Sequence, residues 1–176
     1  MLEQGLIQIY TGNGKGKSTA SLGLALRAIG HNWKVKIIQF TKGEIPNYYG
    51  ELNSSSFLPN LSIEQFGTDD IPYRENLKMD DYTEAAKAYS CAYTSIMKRD
   101  YQLVILDEVN IAIDLGLIKL AYIKELLLKK PEFVEVVLTG RNAHPELVSI
   151  AHLVTEMKSV KHYFELGVMA RKGMEY

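Results

Sequence analysis

Apolar positions along the chain fall into two rhythms. Short, nearly unbroken apolar runs occur at Leu6-Ile7-Gln8-Ile9-Tyr10, Val35-Lys36-Ile37-Ile38-Gln39-Phe40, Gln102-Leu103-Val104-Ile105-Leu106 and Phe133-Val134-Glu135-Val136-Val137-Leu138. Runs of this length, rich in β-branched residues, predict strands buried on both faces. Leu61-Ser62-Ile63-Glu64-Gln65-Phe66 alternates more and reads as an edge strand, and Leu153-Val154-Thr155-Glu156-Met157 as a last one. Between the strands the period lengthens. Ala20 to Ala28 reads as a helix stopped at Gly30-His31-Asn32. Asp80 to Arg99 carries apolar residues at Ala85, Ala88, Tyr89, Ala92 and Ile96, with Asp80 or Asp81 as N-cap. Ile118 to Lys130 is amphipathic and ends at Pro131, and Pro145 to Ala151 reads as a short helix with proline in its first turn. Thr41 to Phe57 and Gly67 to Lys78 are polar and read as loops, the first too long for a bare connection. Val160 to Tyr176 reads as irregular.

Alternating strands and helices predict a three-layer α/β architecture, a mostly parallel sheet of about five or six strands with helices on both faces. Ligands in such sheets bind beyond the carboxyl ends of the strands, and the candidate chemistry collects there. Thr11-Gly12-Asn13-Gly14-Lys15-Gly16-Lys17-Ser18-Thr19 joins the first strand to the first helix. Strand, glycine-rich loop, Lys-Ser and helix form the layout of a phosphate-binding loop, although Thr11 stands where the usual pattern has its first glycine. Glycines let successive N–H groups converge, and the helix start adds free donors and a positive dipole end. Lys17 supplies a cation and the Ser18 hydroxyl a ligand for Mg²⁺. This loop makes the expected fold P-loop NTPase-like, of the RecA-like kind. Asp107-Glu108 closes the third of the apolar runs, an acidic strand end suited to holding that metal. Arg141 and Lys42-Gly43 follow other strands at the same edge.

Bulk properties narrow the classes. The 176 residues suit one domain, 1–176, and 47% hydrophobic content supports a core. A net charge of −1 offers no basic field for nucleic acid or an anionic membrane surface. No apolar run approaches the roughly 18 residues of a membrane span. The single cysteine, Cys91, rules out an intramolecular disulfide and a multi-cysteine zinc site, and fits a reducing cytoplasm. His31, His144, His152 and His162 show no metal-ligand spacing. Tyr89 and Tyr93, four apart, read as core or interface residues.

The loop resembles that of the P-loop class of ATP:co(I)rrinoid adenosyltransferases. So do Gln39-Phe40-Thr41-Lys42-Gly43, Leu106-Asp107-Glu108, Leu138-Thr139-Gly140-Arg141-Asn142-Ala143-His144, Val160-Lys161-His162-Tyr163-Phe164 and Gly167 to Tyr176, in the family's order. The resemblance implies transfer of the 5′-deoxyadenosyl group of ATP to the Co(I) of a reduced corrinoid, with triphosphate released. It implies that residues from Thr11 to Thr19 cradle the triphosphate, with Lys15 and Lys17 as cations and Arg27 and Arg141 on the nucleotide. Ser18, Glu108 and Asp107 would serve Mg²⁺ or Mn²⁺. It also implies a homodimer and a flavoprotein electron donor. Relatives crowd the lower corrin face with a Phe and a Trp after a Gly-Thr pair. Here Gly67-Thr68 is followed by Ile71 and Tyr73, which with Lys42 and Gly43 are the corrin-side candidates. Some relatives also carry an N-terminal segment over the active site, whereas this chain begins just before Gly5, so site closure, or the corrinoid accepted, is expected to differ. A P-loop kinase or ATPase acting on the γ-phosphate, or a non-catalytic nucleotide- or corrinoid-binding module, would use the same loop.

Overall fold

A computed structural model of the chain describes residues 4–43, 48–70 and 72–176. In chain order these form β1 (Ile7–Thr11), α1 (Lys17–Ile29), β2 (Val35–Phe40), α2 (Gly50–Ser55), β3 (Leu61–Phe66), α3 (Met79–Met97) and β4 (Leu103–Asp107). Then come α4 (Val109–Asp114), α5 (Leu120–Lys129), β5 (Glu135–Thr139), α6 (Pro145–Ile150) and β6 (Leu153–Glu156). A 3-10 turn at Tyr163–Leu166 follows. The strands lie in the order β3-β2-β4-β5-β1-β6, and every pairing is parallel. The strand β1, which leads into the glycine-rich loop, and the acidic strand β4 are thus separated by β5.

Alternation within the strands divides the core. Val35, Ile37, Leu103, Ile105 and Val137 point to one face, where Ala25 and Ala28 of α1 cover them. Ile38, Phe40, Val104, Leu106, Val136 and Leu138 point to the other, against α3, α5 and Leu147 of α6. The apolar runs lack alternation because both faces are covered. β2, β4 and β5 are buried along their whole length, β6 is exposed along its length, and β3 occupies the other edge as predicted.

Two local expectations are corrected, and one element is added. The segment read as one long loop from Thr41 contains α2, whose six residues, with Leu52 the one large apolar side chain, are too few to signal a helix alone. Its Glu51 is held by Gln39 and Lys42, so tertiary contacts form it. The α3 N-cap is Lys78, not Asp80 or Asp81. Asp81 sits three residues in and reaches back to accept from the Lys78 N–H at 2.8 Å, while also accepting from the Thr68 hydroxyl. The helix α4 starts directly after the acidic pair without a turn residue, because Glu108 itself takes a left-handed conformation at φ 61°. Tyr89 is half-buried, with ring centroids 6.4 Å from Tyr93 and 5.7 Å from Tyr122.

Candidate active site

The loop between β1 and α1 is built against the edge strand. The β1 ladder with β6 continues past the strands: Met157 N–H donates to Thr11 O, and Gly14 N–H donates to Met157 O. A side chain at Gly12 or Gly14 would place its Cβ 2.5 or 2.7 Å from that carbonyl oxygen. Gly12 and Gly16 also need positive φ, 97° and 119°. Thr11 explains its own departure from the loop pattern, because its Oγ1 accepts from the Ala143 N–H at 3.2 Å and ties the loop to the connection after β5. The N-cap of α1 is Gly16, with no side chain bonded to the first-turn N–H groups. These donors and the dipole end make an anion seat. Lys17 curls beneath the loop, its Nζ 2.9 Å from Gly12 O and 2.8 Å from Gly14 O. Burial lowers its pKa, and the Arg141 guanidinium pushes the same way.

Across the sheet edge, Asp107 is buried with both oxygens engaged. Oδ1 accepts from the Thr139 hydroxyl at 2.6 Å, and Oδ2 from Lys42 Nζ at 2.8 Å and Gln39 Nε2 at 3.2 Å. Burial alone would raise its pKa. The Lys42 ammonium and hydrogen bonds from Lys42, Thr139 and Ser18 outweigh burial and hold the carboxyl below the usual range. Glu108 differs. Its N–H donates to Thr139 Oγ1 at 2.9 Å, and its left-handed backbone turns the chain straight into α4. Burial and the neighbouring Asp107 charge raise its pKa. Thr139 therefore bridges the acidic pair, donating to one residue and accepting from the backbone of the next.

A cavity of about 330 Å³ collects Asn13 to Thr19, Glu108 and Arg141, together with His162 and Glu175. The expected loop residues, one acidic residue and the strand-end arginine thus meet. Asp107 backs the cavity through Ser18 without lining it. A second, largely apolar cavity of about 620 Å³ adjoins it, lined by Ser18, Thr19, Leu22 and Leu26 of α1, by α2, and by residues 173–176. Arg27 is not brought to this edge. It lines a separate cavity with Gln8, His31, Trp33 and Glu135 that shares no residue with the cavity at the glycine-rich loop. Lys42 is turned inward to Asp107, and Gly43 is packed against the Thr68 carbonyl, so neither faces outward. Tyr73 is 58% exposed. Its loop is tied to the Arg141 loop, because Arg74 and Asn142 both bond Asp114. Ile71 lies outside the described residues. Thr139, Gln39, Glu51 and Glu175 had no assigned role in the sequence. The hydrogen bonds from Gln39 to Glu51, from Thr139 to Asp107 and from Tyr163 to Glu175 each span 12 or more positions, so no local pattern announces them. Among the described residues no three His, Cys, Asp or Glu side chains cluster as a metal site. The Ser18 hydroxyl and the Glu108 carboxylate are two oxygen donors beside the loop.

Residues 3–176 match the family model described as ATP:corrinoid adenosyltransferase BtuR/CobO/CobP. The corrinoid adenosyltransferase of Pseudomonas aeruginosa is 35% identical over 174 residues, covering 99% of this chain and 85% of that protein. That of a Sinorhizobium species is 37% identical, covering 99% and 81%. That of Escherichia coli K12 is 33% identical, covering 99% and 87%. Among solved structures, the cytoplasmic domain of EssC superposes with a TM-score of 0.53 at 15% identity, covering 98% of this chain and 35% of that one. That likeness concerns the fold alone.

Proposed function

The chain belongs to the family of ATP:corrinoid adenosyltransferases, and we propose that its phosphate-loop cavity holds the triphosphate of ATP while the nucleoside C5′ faces the corrinoid. The enzyme carries out ATP-dependent adenosylation of a corrinoid. In the proposed step the Co(I) electron pair forms the cobalt–carbon bond, the C5′–oxygen bond breaks, and triphosphate leaves with that bond's electrons. The observation that carries this reading is the convergence of Lys17, Ser18, Glu108 and Arg141 on one cavity beside a larger apolar one.

Cob(I) is itself the nucleophile, so the protein's work is positioning and charge stabilisation. Lys17 exchanges its Gly12 and Gly14 carbonyl partners for phosphate oxygens. Arg141, exposed at the cavity rim, meets charge growing on the leaving group. Asp107 is a positioning residue, fixing Lys42 and Thr139 behind the loop. Two protein donors, Ser18 and Glu108, suit Mg²⁺ or Mn²⁺, ions that take remaining ligands from phosphate and water. When bound, the ion supplies positive charge to the triphosphate. On the corrin side Tyr73 is the exposed candidate, on a loop linked to Arg141's. Lys42 and Gly43 are withdrawn from that role. We further propose one domain over 1–176, a homodimer, a flavoprotein as the donor that reduces Co(II), and a cytoplasmic setting. The family resemblance supports the middle two, and the single cysteine the last.

Anaerobic incubation with Mg-ATP and chemically reduced cob(I)alamin tests the reading. Adenosylcobalamin with an equal amount of triphosphate is expected. ADP without a cobalt–carbon bond would instead mean γ-phosphate transfer.

A further inference from the structure

Of the two loop cations, Lys15 is committed away from the loop. Its Nζ lies 2.8 Å from the Met174 carbonyl oxygen and 3.1 Å from Glu175 Oε1. Glu175 is held by more than this lysine. The Tyr163 hydroxyl donates to the same oxygen, and Arg171 donates to Oε2 from its backbone N–H at 2.7 Å and its Nε at 3.3 Å. The Arg171 guanidinium also stacks 4.7 Å over the Tyr163 ring. The result is a fixed carboxylate on the wall of the phosphate-loop cavity, which Lys17, Ser18 and Arg141 also line. A negative charge there opposes a polyphosphate directly, and its ion pair withholds a cation from the same ligand. The segment keeps other anchors when Lys15 turns away, because the Tyr163 hydroxyl still donates to Glu175 and the Tyr176 ring stacks on Tyr48 at 4.2 Å.

We propose that Glu175 is an internal competitor for Lys15. Polyphosphate in the loop and docking of the 171–176 segment on the loop draw on one ammonium, so each weakens the other. Because the coupling is reciprocal, removing the Glu175 charge strengthens polyphosphate binding. In turnover the competition favours release of the triphosphate product, returning Lys15 to the segment as the anion departs. Glu175 acts through Lys15 and is a positioning residue. The proposal rests on the phosphate-loop reading of the cavity.

Calorimetric titration of the full chain with inorganic tripolyphosphate tests it. Glu175→Gln keeps the side-chain shape and should bind about two- to fivefold more tightly, the scale of a partly exposed ion pair. A purely structural Glu175 predicts the opposite sign. Hydrogen exchange on the unsubstituted protein needs no variant: amides of 171–176 should exchange faster once tripolyphosphate is added. Equal or weaker binding by Glu175→Gln, or greater protection of the segment, overturns the proposal. Lys17→Ala separates the two layers. If the unsubstituted protein does not bind tripolyphosphate, or binds it independently of Lys17, the phosphate-loop reading fails as well. If binding needs Lys17 and ignores Glu175, only the competitor fails.

Discussion

Lys17 and Glu108 face the same cavity with opposite charge and different tasks. Lys17 is preset, its ammonium hydrogen-bonded to two loop carbonyls that a phosphate can replace. Lys17→Ala should therefore lower turnover by roughly 100-fold or more, the scale of losing a preorganised charge donor. Circular dichroism and melting temperature should change little, and near-normal turnover would remove the phosphate-loop assignment. Glu108 carries the carboxylate that Ser18 lacks. Glu108→Gln keeps size but removes charge, so the Mg²⁺ concentration giving half-maximal activity should rise severalfold. An unchanged metal titration counts against the ligand role. Thr11 shows how a single residue can depart from a motif for a tertiary reason: its hydroxyl oxygen holds the Ala143 N–H, which a glycine could not do.

At the scale of elements, the carboxyl ends of β2, β4 and β5 are joined by one buried polar network. Gln39 comes from β2, Asp107 from β4 and Thr139 from β5, with Lys42 and Glu51 closing it from the loop and α2. Lys42→Met would leave Asp107 buried without its cation and should cost about 3–5 kcal/mol. The pH dependence checks the cause. Asp107 has its folded pKa depressed, so its contribution to stability is full above the unfolded carboxylate pKa. It is lost as pH falls toward the lower folded value. In Lys42→Met burial is uncompensated, so the rise in stability from acidic to neutral pH should shrink. Urea unfolding of both proteins at the two pH values measures this. An unchanged pH slope would show that Lys42 does not set the Asp107 charge.

For the whole molecule, six parallel strands bring the loops after β1, β2, β4 and β5 to one edge. The 171–176 segment returns to that edge and borders both cavities. Arg27, at the far end of α1, is carried to another cavity by the length of its own helix, since ten residues of helix rise about 15 Å. The proposed homodimer doubles the mass of the particle in solution. Sedimentation equilibrium should return twice the chain mass, and a clean monomer would remove it.

The alternation of apolar runs with helical periods determined the α/β class and the parallel sheet. Both follow from local rules about burial and side-chain period. The loop from Gly12 to Ser18 and the Asp107-Glu108 pair were legible for the same reason, because their chemistry depends on contiguous residues. Tertiary structure alone decided the rest. Asp107 and Glu108 are adjacent in sequence, yet one is sealed behind Lys42 and Thr139 while the other faces the cavity. Lys42 reads as an outward loop cation until the fold supplies its buried partner. Glu175 reads as part of an irregular tail until the chain brings it back to Lys15, 160 positions earlier. A side chain's direction and its charge state are set by neighbours distant in the chain, and no local pattern encodes them.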